Sequence, residues 1–115
     1  MTSTSNAEIR NGICFVTLAG EFDRSNLEDL AREIQLCLAT ASSVLFDFGA
    51  VTFINGAVMA LLHDVLERLG KGGWLGVARP LPRIERLFGV AGLTDLPNFR
   101  VFATLTEALE VIDQA

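Results

Sequence analysis

The amino-acid sequence predicts one α/β domain on a mostly parallel mixed β-sheet, about five strands and about four helices in the order ββαβαβαβα. Three observations predict it. Short apolar runs rich in β-branched and aromatic residues alternate with segments whose apolar residues recur at helical spacing. An Asn11-Gly12 pair, the turn chemistry of tight hairpins, separates the first two strands. Half of the 115 residues are hydrophobic and the mean hydropathy is +0.42. That is enough to bury a core at this length without a disulfide or a metal.

Residues 1–7 are small and polar and read as a flexible N-terminal tail; residues 8–115 read as the domain. A first strand near Glu8 to Arg10 pairs antiparallel with Ile13 to Leu18 across the Asn11-Gly12 turn. Gly20 to Asp23 is a break. Leu27, Leu30, Ile34 and Leu38 then mark a helix, with Asp23 or Ser25 as its N-cap and Glu28 and Asp29 at the positive end of its dipole. Ser43 to Phe48 is a buried strand, followed by a turn over Gly49 to Thr52 and a short apolar pair, Phe53-Ile54.

From Ala57 the period turns helical, with Val58, Leu61, Leu62, Val65 and Leu69 expected on the core face. Met59, His63 and Leu66 fall on a neighbouring stripe, and Met59 is expected to be partly exposed. Gly70, Gly72 and Gly73 stop this helix. Trp74 to Ala78 is a strand, Leu81 to Val90 a short helix and Phe99 to Phe102 the last strand. Thr104 to Ile112 is the last helix, with Thr104 and Glu107 at capping-box spacing.

The composition excludes several classes of function. A net charge of −5, with nine Lys and Arg thinly spread, leaves no electrostatic footprint for nucleic acid or an anionic membrane. The longest strongly apolar stretch, Ala57 to Leu62, is far too short to span a bilayer, and the N-terminus lacks the pattern of a signal peptide. Cys14 and Cys37 lie inside apolar segments, and two reduced core thiols are expected in preference to a disulfide. Metal-ligand spacing is absent, and neither a metal nor a cofactor is expected.

No enzyme is expected either. His63 is the single imidazole; it sits mid-helix beside Asp64, and adjacent helical residues do not face one another. Gly70 to Gly73 follows a helix and precedes a strand, the reverse of the order that aims amides at phosphate. Arg79, Arg83 and Arg86 could bind an anion but read as a solvated face. What remains is the loop from Phe53 to Ala57, whose amides point outward at the positive end of a helix.

Over Glu8 to Asp113 the chain resembles a STAS domain, the domain shared by sulphate transporters and anti-sigma factor antagonists. The resemblance rests on VTLAGEFD (16–23), SVLFDFGAVTFIN (43–55, with the acidic Asp47), GGWLGVARP (72–80), RIERLFGVAGL (83–93) and ATLTEAL (103–109). It implies a bacterial, cytoplasmic protein-interaction module that regulates sigma-factor-dependent transcription by partner switching. The implied partner is an anti-sigma factor of the serine-kinase type, with no nucleic acid and no membrane insertion; a homodimer is compatible with it. In the family, that kinase phosphorylates a Ser or Thr in an Asp-Ser-Ser-Gly loop at the start of the second helix.

Here the chain departs from the family. Asn55 falls on the Asp position, Gly56 and Ala57 on the two Ser positions, and Val58 on the Gly. Ala57, at the acceptor position, has no hydroxyl, while Asn55 still serves as an N-cap. The resemblance implies a docking surface at Asn55, Gly56 and Ala57 together with Glu21 and Asp23 at the Gly20–Asp23 corner, and the helical stripe beside the loop adds Met59 and His63 as expected contacts. An alternative role is a STAS scaffold subunit of a lipid-transport ATPase or another signalling assembly. A small-ligand site at the Gly56-Ala57 helix end is the third, without a polar constellation to support it.

Overall fold

A computed structural model describes residues 3–70 and 72–114. Its elements are β1 (Thr4–Arg10), β2 (Ile13–Phe22), α1 (Leu27–Leu38), β3 (Ser43–Ile54), α2 (Gly56–Leu69), β4 (Leu75–Ala78), α3 (Pro82–Val90), a 3-10 turn (Leu93–Asp95), β5 (Phe99–Phe102) and α4 (Leu105–Asp113). The five strands lie in sequence order in one sheet, β1 antiparallel to β2 and the rest parallel. The expected class and order are those observed.

Three successive crossovers in one direction, each right-handed, place their helices on one face. The main core accordingly joins Leu30 and Ile34 of α1, Val58, Leu62 and Val65 of α2, and Ile84 and Phe88 of α3 against Val16, Phe46, Phe48 and Val77 of the sheet. Phe48, Phe88 and Phe99 stack through it, with ring centroids 5.8 and 5.5 Å apart. α4 follows the last edge strand and covers the opposite face, burying Ala108 and Ile112 against Ile13, Phe15, Leu45 and Ala78. Among the described residues no helix is long and apolar enough to cross a membrane.

Local chemistry explains most of the ends. Asn11 and Gly12 both take positive φ, 52° and 77°, as a two-residue hairpin with right-handed strands requires. Thr104 accepts from the Glu107 N–H at 3.1 Å and opens α4. Gly70 ends α2 at φ 67°.

Several expectations are corrected. β1 begins at Thr4, so residues 4–7 of the segment read as a tail belong to the sheet. Edge pairing with β2 asks only for backbone groups there, and Ser5 additionally donates to Glu33 of α1. Met1 and Thr2 lie outside the described residues, as does Lys71. β2 runs on to Phe22 and β3 to Ile54, where a break and a turn were expected. Their extensions pair with each other past a register irregularity, which satisfies the backbone groups that a turn would have freed. Neither Asp23 nor Ser25 caps α1; Asn26 is its N-cap residue. Met59 and Leu66 are buried, whereas Leu61 and Leu69 sit at the core's edge. The core face of α2 is thus turned toward Met59 and Leu66 by roughly 40°, less than half of the 100° between successive residues. Finally, Cys14 and Cys37 are joined as a disulfide, not held as two thiols.

Candidate docking site

β4 ends at Ala78 opposite Asp47, but β2 and β3 continue beyond it. The result is a two-stranded arm, Ala19–Phe22 beside Ala50–Ile54, projecting from the carboxyl end of the parallel sheet. Parallel register sets Glu21 opposite Phe53 and Phe22 opposite Ile54. Phe22 and Ile54 point into the core, while Phe53 stays 46% exposed. The two segments singled out separately, Glu21 with Asp23 and Asn55 with Ala57, therefore emerge side by side from adjacent strand ends.

The corner after β2 is fixed by a residue that sequence reasoning passed over. Asn26 donates to the Glu21 carbonyl at 2.8 Å and accepts from the Asp23 N–H at 3.0 Å. Asp23 in turn accepts from the Ser25 N–H at 2.8 Å and from its hydroxyl. Those bonds, the hydroxyl first, hold the Asp23 carboxyl below its ordinary value. An Asx-x-x-Asx spacing at positions 23 and 26 was the available signal.

The start of α2 is built by Asn55. Its backbone is extended (φ −131°) and its Oδ1 accepts from the Ala57 N–H at 3.0 Å, as a helix N-cap does. Gly56 is exposed and Ala57 half-buried. No acidic side chain occupies this first turn, so its positive dipole end faces outward without internal compensation.

Of the other residues expected here, Met59 is turned inward and only 9% exposed. His63 is half-buried two turns along α2, and its Nε2 lies 3.1 Å from the Ala91 carbonyl; that oxygen can only accept, so Nε2 carries the proton. Adjacent strand ends bring the Glu21–Asp23 and Asn55–Ala57 segments side by side, Met59 is buried beneath them, and His63 lies two turns further along α2.

The arm rests on an ion pair. Asp47, buried in β3 at its last pairing with β4, accepts from Arg79 Nε at 2.9 Å and Nη2 at 3.0 Å, and from the Gly49 N–H at 2.9 Å. Burial works to raise the Asp47 carboxyl, but the Arg79 guanidinium and the Gly49 amide outweigh it and hold it below its ordinary value. Arg79 follows β4 with φ 45°, a left-handed conformation costly for a side chain of its size. Its guanidinium lies where a Gly49 Cβ would be, so a side chain at that point of the strand would force Arg79 to move from its pairing with Asp47. Arg83 of α3 donates to the Thr52 carbonyl at 2.7 Å and braces the arm from the other side. Arg79 and Arg83 therefore hold the arm in place, and the anion-binding reading falls away for them. Among the described residues, no three His, Cys, Asp or Glu side chains gather as a metal site.

Residues 4–108 match the STAS domain family. An anti-sigma factor antagonist from Mycobacterium paratuberculosis is similar at 26% identity and TM-score 0.82, with 97% of this chain and 95% of that one covered. The Bacillus cell fate determinant SpoIIAA in its phosphorylated form has the same fold at 19% identity and TM-score 0.74, covering 95% and 99%. The fold also recurs within the murine anion transporter Slc26a9, at 16% identity and TM-score 0.71, covering 94% of this chain and 18% of the transporter.

Proposed function

The chain belongs to the STAS domain family, and we propose that it is a non-enzymatic docking module of the anti-sigma-antagonist kind. On this reading it binds an anti-sigma factor of the serine-kinase type in the bacterial cytoplasm. The observation that carries the reading is the convergence of Glu21 with Phe53 and of Asp23 with Asn55 at one end of the sheet. An exposed aromatic ring beside acidic groups and the capped positive end of a helix suits an interface with an apolar centre and a polar rim. The likeness to the Mycobacterium antagonist supports the same class of partner.

The usual switch does not operate at this loop. A phosphate on the first turn of α2 would add close to two negative charges beside Glu21 and Asp23, enough to break docking by repulsion and desolvation. Ala57 offers no hydroxyl to carry it, so the surface stays binding-competent. Incubation with candidate anti-sigma kinases and ATP, followed by mass spectrometry and gel filtration, tests this. A complex that survives ATP, with no phosphate on residues 52–58, is expected; phosphate within that stretch refutes it.

The recurrence of the fold inside a murine anion transporter favours a second reading, a docking subunit of a transport assembly such as a lipid-transport ATPase. Affinity capture that recovers an ATPase subunit and no sigma-regulating kinase selects it over the first.

A further inference from the structure

We propose that Cys14 and Cys37 form a reversible redox site, a latch between β2 and α1 that a small dithiol opens and a small disulfide closes through the groove beside Cys37. The two Cα atoms are 5.8 Å apart, a separation that allows the bond without backbone movement. The two sulfurs differ in access. Cys14 is fully buried in β2, while Cys37, 7% exposed in the last turn of α1, lines an open groove of about 380 Å³ between β1 and α1 with Ala7, Ile9, Glu33 and Leu36. Of the two cysteines, only Cys37 borders this groove.

Both cysteines lie within the main core, where free thiols pack as small apolar side chains, so the fold survives with the bond open. What the bond adds is local. α1 buries three side chains, Leu30, Ile34 and Cys37, and has no side-chain cap at its start. Opening the bond removes the covalent one of these attachments, at the end of the helix whose rim already exposes Leu36 (73%) and faces Ile9 (47%).

The chemistry is thiol–disulfide exchange. To open, a dithiol's thiolate attacks Cys37 Sγ; the bond to Cys14 breaks and Cys14 leaves as thiolate and takes a proton. The reagent's second thiol then attacks the mixed disulfide and expels Cys37, and the reagent departs as its own cyclic disulfide. To close, the Cys37 thiolate attacks a small disulfide and releases one small thiol. Cys14 then attacks the Cys37 sulfur and releases the second. Two protein thiols and one small disulfide become one protein disulfide and two small thiols.

The test uses the folded full chain. Dithiothreitol without denaturant should expose two alkylatable thiols per chain, and glutathione disulfide should remove both again. Amide exchange should lose protection in residues 34–41 in the reduced state and nowhere in β3 or β4. With glutathione disulfide, Cys14→Ala should accumulate one glutathione at Cys37, and Cys37→Ala should take none. Thiols that appear only on unfolding, an unmodified folded Cys14→Ala, or identical exchange of α1 in both states would each overturn the proposal. If Cys14→Ala does not fold, the wild-type reduction and exchange measurements decide it alone.

Discussion

Replacing Asp47 with Asn should destabilise the domain by about 1–2 kcal/mol at neutral pH. The Asp47 side chain is 7% exposed and accepts three hydrogen bonds, two from Arg79 and one from Gly49. An asparagine keeps one acceptor oxygen, so at least one of the charge-assisted bonds, worth about 1.5–3 kcal/mol each, is lost. Arg79 is 48% exposed and can recover hydration, which brings the cost below the roughly 3–5 kcal/mol of breaking a fully buried pair. In a domain of this size that lowers Tm by about 4–8 °C. Urea unfolding of both proteins from pH 7 to pH 3 reads the effect. The Asp47 carboxyl is depressed from its ordinary 3.8, so its contribution is complete above that value and is lost as pH falls through the lower folded-state value. The gap between wild type and variant should stay constant from pH 7 to about pH 5 and close as the pH falls below about 4. A gap under about 0.5 kcal/mol at neutral pH, or one that persists unchanged in acid, refutes the ion pair as the support of the arm.

Three further substitutions separate stability from docking. Met59→Glu puts a carboxylate into the core and should cost about 3–5 kcal/mol by urea unfolding; unchanged stability would return Met59 to the surface. Asn55→Ala removes the side-chain acceptor at the start of α2 and should cost about 1 kcal/mol, with Asn55→Asp restoring it; equal losses in both would dismiss the cap. Phe53→Ser should leave stability within about 0.5 kcal/mol while weakening partner binding at least about tenfold by calorimetry, and unchanged affinity would remove the arm from the interface.

Signals confined to a few consecutive residues were legible. The Thr104 and Asn55 caps depend on side-chain-to-backbone bonds spanning two or three positions, the Asn11-Gly12 turn on two consecutive positive-φ residues, and periodicity separated helix from strand. Misreadings occurred where a distant partner decided the outcome. Gly49 resembles a turn residue, yet β3 runs on through it because β2 resumes parallel pairing at Ala50 and the Arg79 guanidinium fills the space of the missing Cβ. Met59 and Leu61 differ by two positions on a helix that is apolar on more than one side, and the rotation of α2 about its axis against the sheet selects Met59 for burial. The cysteines show the same limit: composition argued against a disulfide, and the placement of α1 over β2 brings their Cα atoms to bonding separation.

The site was legible as residues but not as a surface. Glu21 and Phe53 belong to strands whose hydrophobic patterns are each readable, but those patterns carry no information about the offset between the two strands. That offset is set by the paired ladder from Ile13–Ser43 through Phe22–Ile54, including its irregularities after Thr17 and Gly20. Once the strands are parallel neighbours, both chain exits must lie at the same edge, and the corner at Asp23 must flank the cap at Asn55. The Asp47–Arg79 pair then gains its meaning. It lies where β4 stops and the arm goes on alone, so a charge pair replaces the ladder partner that β4 no longer provides.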